Sequence, residues 1–417
     1  MLITIFDKSF IHAISIEEAA VFDMHFMSNI TPLFFVEVLG DLEKVDVTET
    51  AKRAALVKSL AAKTPDFHSY PNVYHMDLML YELLGGLVEM RGRPHVGGGK
   101  RIKNDQGLGT IYSESPEMKA ANRWHNGHFE EQEYVLAKAW REMLAANPAV
   151  MAKLMKGSAG RFSFRDYAAI KAKADEFIDK GSRLPMLYTA LEFARVPSEL
   201  CPVILSRWKN SGGPLLREYA PYTAFCLSVD LFRELAMGSG HMSWEKSSNY
   251  VDLSYLYYLP FCQVFISTDK IHRHTVPLFM DAARQAFVWG PDLRAELASL
   301  VAEYMAAPDI EEVGLLGVSG RKLFDADSFI GKLYGRLHPG KIMGNRDASK
   351  SLSPEAEAKL VAEMKRRMEG GSPPPGTDLS QEDQMVGVKR MVSARKGKFA
   401  VLPKRVVEAE KKKIDAA

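Results

Sequence analysis

The stretch Asn249-Tyr-Val-Asp252-Leu-Ser-Tyr-Leu-Tyr-Tyr-Leu259-Pro260-Phe-Cys-Gln-Val-Phe-Ile-Ser267-Thr268-Asp269-Lys270 reads as a short helix, a break and a strand. Ser248 and Asn249 are capping candidates. Asp252 is expected behind them in the first helical turn, where the helix dipole favours a carboxylate. Pro260 is expected to end the helix. Gln263 to Ser267 has strand composition, and Asp269 falls just past its carboxyl end, the edge at which open α/β sheets build their sites. Two carboxylates carried there are half of a site for a hard divalent metal. The other half has to come from elsewhere in the chain.

The amino-terminal segment offers it. Leu2 to Phe6 is a compact apolar run that reads as a buried strand, and Asp7 follows directly. Ser15 and Glu18 have the spacing of a capping box, opening a helix with Ala19, Phe22, Phe26 and Met27 on one face that should end near Asn29. Thr31 as cap and Pro32 as first helical residue start a second helix. It carries Glu37 and Asp41 four residues apart, on one face.

Composition bounds the class. The chain has 417 residues, 47% hydrophobic and 25% charged, as in ordinary folded proteins, and its length suggests two or three domains or one with a large insertion. No apolar run reaches the length of a spanning helix, so no membrane role is expected. Asp7 and Lys8 interrupt the amino terminus too early for a signal peptide. Cys201, Cys226 and Cys262 form no paired motif, which fits a reducing cytoplasm. From Lys332 onward there are 19 Lys and Arg against 11 Asp and Glu, a surplus of eight that leaves the rest of the +2 chain at −6. A mildly acidic body with a basic tail suits a polyanionic partner and suits a solubilising tail almost as well.

Between the two acidic ends the pattern is mostly helical: Tyr74 to Met90, Arg123 to Met155, Ser163 to Lys180, Leu187 to Arg195 and Tyr222 to Met237. Arg91-Gly-Arg-Pro-His-Val-Gly-Gly-Gly-Lys-Arg101-Ile-Lys103 is a basic, glycine-rich loop, and turn-rich sequence continues to Ser115. Leu293, Leu297, Leu300, Val301 and Tyr304 mark another helix, and the signals weaken after Asp309. A charged helix starts at Ser353-Pro-Glu and ends near Gly370, followed by a Pro/Gly linker and a Lys-rich, flexible remainder.

Asp7, Glu37, Asp252 and Asp269 converge at one sheet edge if the two strands are parallel neighbours. Such a cluster either raises some of its pKa values or binds a hard cation, and Mg²⁺ or Mn²⁺ held this way is the usual device for phosphodiester hydrolysis. In order, element type and spacing, Ile5-Phe6-Asp7, Thr31-Pro-Leu-Phe-Phe-Val-Glu37, Asp252 and Val264-Phe-Ile-Ser-Thr-Asp269-Lys resemble the acidic signature of PIN-domain nucleases. The resemblance covers about residues 1–45 and 240–275, and the long helical block between them departs from a compact domain of that family. It implies an α/β fold, a parallel sheet flanked by helices, and metal-dependent endoribonuclease-like cleavage. It further implies Asp7, Glu37, Asp252 and Asp269 as catalytic acids, with Asp7, Asp252 and Asp269 on the metal. Ser267, Thr268, Lys270 and Asp41 would take supporting places.

The division expected is a PIN-like core from 1–45 and 240–280, a mostly helical insertion at 46–239, a helical region at 281–370 and a basic tail at 371–417. The function expected is Mg²⁺- or Mn²⁺-dependent cleavage of nucleic acid, RNA favoured over DNA. An inactive PIN-like scaffold that binds nucleic acid or a protein is the alternative, and a homo-oligomer is left open. Arg91, Arg93, Lys100, Arg101 and Lys103 are candidate phosphate contacts. They do not form a P-loop, because Pro94 stands at the first glycine position and Arg101 follows Lys100.

Competing accounts exist for each acid. Asp7 and Asp269 can simply cap the next element, Asp252 can complement a helix dipole, Glu37 can lie on an exposed face, and Asp41 reads as a solvated neighbour. His125 and His128 lack zinc-site spacing; His272 and His274 follow the last acid closely enough to approach a scissile phosphate, with a plain surface position the favoured account. Tyr255, Tyr257 and Tyr258 read as core.

Overall fold

A computed structural model describes residues 1–44, 49–155, 163–243, 246, 248–322, 324–338, 353–378 and 385–415. Its centre is a sheet of five strands: β1 (Leu2–Phe6), β2 (Phe26–Ile30), β3 (Ser69–Pro71), β6 (Val264–Ser267) and β7 (Ala286–Trp289). The strands lie in the order β3-β2-β1-β6-β7, and every pairing is parallel. A second sheet joins β4 (Gly99–Asn104), β5 (Gly107–Ser113) and β8 (Met385–Lys389), and a small hairpin pairs β9 (Arg395–Lys396) with β10 (Phe399–Ala400). The fold is therefore α/β, a parallel sheet flanked by helices.

Parallel strands need both faces covered, and β1 shows it: Leu2, Ile5 and Phe6 are buried. Phe6 meets Phe22 and Phe34 edge to face at 5.9 and 5.3 Å, from the helices that follow β1 and β2. Three caps set the local starts. Asp7 opens α1 (Lys8–Ala13) by accepting from the Phe10 amide, Ser15 opens α2 (Ile16–His25), and Thr31 opens α3 (Pro32–Leu39). At Ser15 the box is complete: its hydroxyl accepts from the Glu18 amide at 3.0 Å and its own amide donates to Glu18 at 2.5 Å. Ser15→Ala is expected to cost about 1 kcal/mol in denaturant unfolding.

Several sequence expectations change. The first amphipathic helix stops at His25 instead of near Asn29, and Phe26 and Met27 belong to β2. The helix expected from Tyr74 to Met90 ends at Leu83. The basic loop gives way at Gly99 to a hairpin, whose turn needs Gly107 at φ +121°. Core strand β3 comes from inside the block expected as insertion, and β7 lies beyond residue 280. After Asp309 the described residues form helices Ile310–Gly320 and Phe329–Leu337, then the expected charged helix at Pro354–Met368, and a further one, Lys404–Asp415, in the segment expected to be flexible. Of the expected tail, 379–384 and 416–417 lie outside the described residues. Its 385–401 part is anchored: β8 joins β5, Phe399 and Val401 are buried, and Lys396 is 3% exposed.

Candidate active site

Strand order places the acids. From β1 the chain proceeds outward to β2 and β3, and later from β6 outward to β7, so the topological switch point lies between β1 and β6. Crevices outside the carboxyl ends of strands at a switch point are where α/β sheets bind ligands. Phe6 pairs with Ile266, which sets Asp7 beside Ser267. Asp269 caps the helix Lys270–Thr275 through the Ile271 amide at 2.9 Å. The two acids thus follow adjacent parallel strands at one edge of the sheet.

Asp7 does more than cap. Ser9 Oγ donates to its carboxylate at 2.7 Å and Ser267 Oγ at 2.8 Å, and the carboxylate is 3.3 Å from His272 Nδ1. Ser267 Oγ also accepts from the Asp269 amide at 2.9 Å, which ties the two acids through one hydroxyl. Thr268 reaches Ser9 Oγ with its amide at 3.1 Å and its hydroxyl at 2.8 Å.

Asp252 arrives by a different route from the one expected. Its helix, Ser248–Ser254, has no acid in its first turn, so Asp252 does not complement the dipole there. The 3₁₀ helix Tyr255–Phe261 continues the chain through Pro260 instead of breaking at it. Asp252 is 9% exposed, and its Oδ2 has no hydrogen-bond partner. Burial pushes its pKa up to about 7; His272 opposes this, while Asp269, Glu37 and Asp7 add to it. A buried carboxyl with one unpaired oxygen, within reach of the charges of three other acids, resists ionisation.

Glu37 closes the cluster from α3. Its Oε2 accepts from Tyr255 Oη at 2.7 Å, and Lys8 Nζ stands 3.6 Å from Oε1. Burial raises its pKa, Lys8 and the tyrosine hydrogen bond pull it back, and Asp7 and Asp41 push it further up. Burial and the charges of Glu37 and Asp7 hold the Tyr255 hydroxyl well above its ordinary range, so it remains a donor. Asp41, read as a solvated neighbour, is 1% exposed; it is bound by Lys8 at 3.1 Å and by Arg141 at 2.8 Å.

His272 is buried, where the sequence suggested a surface histidine. Nδ1 meets Ser267 Oγ at 2.8 Å, and Nε2 meets the Asp252 carbonyl at 2.7 Å. Burial disfavours its charge, but the hydrogen bond and charge of Asp7, together with Asp252, raise its pKa to about 9. The protonated ring donates from both nitrogens and links the two limbs of the site. Lys8 and Ser9 are additions that the sequence reading did not single out, and Tyr255 and His272 contact the acids from positions it assigned to the core and the surface. The available signals were an Asp7-x-Ser9 turn and the three-residue step from Asp269 to His272, which places both on one helical turn.

The expected cations are not gathered with the acids. Arg91 and Arg93 line a cavity of about 380 Å³ with Ile3 and Gln263, at the amino end of β1 and β6, opposite the acid edge. Lys100, Arg101 and Lys103 lie on β4 in the second sheet. Lys270 is exposed at the rim beside Asp269.

The donor set suits a hard divalent cation in charge and atom type, and Asp252 Oδ2 is a buried oxygen in want of a partner. The fit stops short of a cage: among the described residues no group of three or more His, Cys, Asp and Glu side chains is close enough to hold a metal ion. Comparison with protein-family models finds no match to this chain, and comparisons with curated proteins and with solved structures also find none. No described helix is long and apolar enough to cross a membrane.

Proposed function

We propose that this chain is a divalent-metal-dependent nuclease of PIN-like design that hydrolyses phosphodiester bonds, in RNA before DNA. The observation that carries the reading is that Asp7 and Asp269 are joined through Ser267 Oγ at the ends of β1 and β6, with buried Asp252, its Oδ2 unpartnered, tied to the same place through His272. Asp7, Asp252 and Asp269 are the residues that would hold Mg²⁺ or Mn²⁺. Such an ion, when bound, polarises water and phosphate oxygen.

The chain's own groups do the remaining work. Ser9, Ser267 and His272 fix the Asp7 carboxylate. Asp252, with its pKa near 7 in the metal-free site, would give up its proton when a cation is bound there. Thr268 braces Ser9, and exposed Lys270 is placed to meet a phosphate. Arg91, Arg93, Lys100, Arg101 and Lys103 can serve only parts of a strand that run beyond the acid edge. Free Cys226 and Cys262, both buried, suit a cytoplasmic setting.

The test is cleavage of single-stranded RNA and of branched DNA by the full chain with Mg²⁺ or Mn²⁺. Asp7→Asn and Asp269→Asn are expected to lower the rate at least about 100-fold with the fold intact, since even outer partners of metal ligands are worth 10–100-fold. Variants that cut as well as wild type end the proposal.

A second reading, a scaffold that binds nucleic acid or protein without cutting, draws on Lys8. Its ammonium sits between Glu37 and Asp41, where a cation would otherwise compete. RNA binding without metal-dependent cleavage, unaltered by Asp7→Asn, would select that reading.

A further inference from the structure

The acid edge has a neighbour that the acids themselves do not use. Between the end of α1, the start of α2 and the helix Gly290–Met305 lies a cavity of about 420 Å³, walled by Ala13, Ile14, Glu18, Thr268, Gly290 and Arg294. That volume falls within the roughly 300–1,000 Å³ of small-molecule sites.

Three features give it a purpose. First, a chain of hydrogen bonds links its wall to Asp7. Thr268 forms its wall and hydrogen-bonds Ser9 Oγ at 2.8 Å, and Ser9 in turn donates to Asp7 at 2.7 Å.

Second, the chain keeps it open. The helix Gly290–Met305 turns Leu293, Leu297 and Leu300 into the core, while Ala295 and Ala298 face the cavity. Gly290 has no side chain where a Cβ would stand 2.6 Å from Thr268 Cγ2.

Third, its polar groups sit together. Glu18 is 6% exposed and pairs with Arg294 at 3.3 Å, and the Arg294 side chain is 52% exposed. Small apolar walls accept the faces of a flat ring, and a planar guanidinium offers donors to its edge. A planar heterocycle with acceptors on its edge matches both.

We propose that this cavity receives the nucleobase flanking the scissile phosphate, so that base identity biases where the strand is cut. The inference rests on the nuclease reading, because only a strand held at the acids brings a base to Thr268.

The test separates the two. Isothermal calorimetry compares adenosine with ribose on the full chain, so that the base is the only difference. Wild type is expected to bind adenosine at least about tenfold tighter, the worth of burying a modest apolar face. Ala295→Leu and Ala298→Leu, which fill the cavity, should remove that preference, and Ala298→Ser, which leaves it open, should keep it. The filled variants should retain the wild-type unfolding temperature and any cleavage of bis(p-nitrophenyl) phosphate, a diester without a base. Equal binding of adenosine and ribose, or a preference that survives both Leu variants, overturns the pocket. Adenosine binding that the Leu variants abolish, in a chain that cuts no RNA, supports a base-binding pocket but sinks the nuclease reading and, with it, the assignment to the base beside a scissile phosphate.

Discussion

Lys396→Met is expected to lower stability by about 3–5 kcal/mol at pH 7, the cost of leaving buried carboxylates without their cation. Lys396 Nζ donates to the Thr64 carbonyl at 2.7 Å and stands 3.6 Å from Asp66 and 3.9 Å from Asp23. Asp23 is 1% exposed and Asp66 7%, so neither can turn to water when the lysine goes. Burial raises the Asp23 pKa against the pull of Lys396. At Asp66 burial acts the same way but is outweighed by Lys396 and the Ser393 hydrogen bonds, and the pKa is lowered.

The signs fix the pH dependence of that loss. Asp66, with a depressed folded pKa, contributes stability above its unfolded pKa and loses it as pH falls through the folded one. Without Lys396 both carboxyls favour the protonated form, so the deficit should shrink on acidification. Asp66→Asn placed on the Met variant should recover part of the loss, a non-additivity readable in a double-mutant cycle by urea unfolding. A Lys396→Met protein within about 1 kcal/mol of wild type, less than a buried pair is worth, would mean the tail does not anchor the body.

That anchor shows where sequence reading stops. Asp7, Ser15, Thr31 and Asp269 were legible because a cap involves residues two or three apart, and each sits where its spacing put it. The parallel pairing of β1 and β6 was legible only through the acids that follow them. Strand β2, Phe26-Met-Ser-Asn-Ile30, is buried at four of its five positions and shows no polar alternation, so its apolar residues extended the preceding helical spacing. Strand β3 has three residues, too few for any period. Lys396 lies in a Lys-rich segment that reads as solvated, and its burial depends on partners some 330 and 370 residues earlier in the chain. His272 and Asp41 are buried for the same reason, one that local sequence does not carry: their partners, Asp7 and Arg141, are distant along the chain.

Asp252→Asn is expected to move activity and stability in opposite directions. Under the nuclease reading it removes a metal-holding carboxylate and should cost at least about 100-fold in metal-dependent cleavage. Its effect on the metal-free fold has the other sign. An aspartate ordinarily ionises near 3.8, and this one does so at about 7, chiefly through burial. Between those values the folded state holds the extra proton, so stability falls as pH rises from about 4 to 7, by roughly 1.4 kcal/mol per unit of pKa difference. The full penalty, on the order of 4 kcal/mol, is in place above neutrality.

Asn keeps the shape without the charge. Its unpartnered amide returns about 1–3 kcal/mol of that gain. The pull of His272 is already contained in the Asp252 value, and in return Asp252 helps hold the His272 pKa at about 9. That support exists only where Asp252 is ionised, above about pH 7, and ends as His272 loses its proton through about pH 9. A net stabilisation of about 1–2 kcal/mol at pH 8 should remain, fading or reversing at pH 4, measured by urea unfolding without divalent ions. Adding Mg²⁺ or Mn²⁺ should then stabilise wild type and leave Asp252→Asn unmoved, because only a site that prefers the folded state shifts unfolding. Equal destabilisation by Asp252→Asn at both pH values would show that this carboxylate serves the packing of its helix, and that no cation is being waited for at its free oxygen.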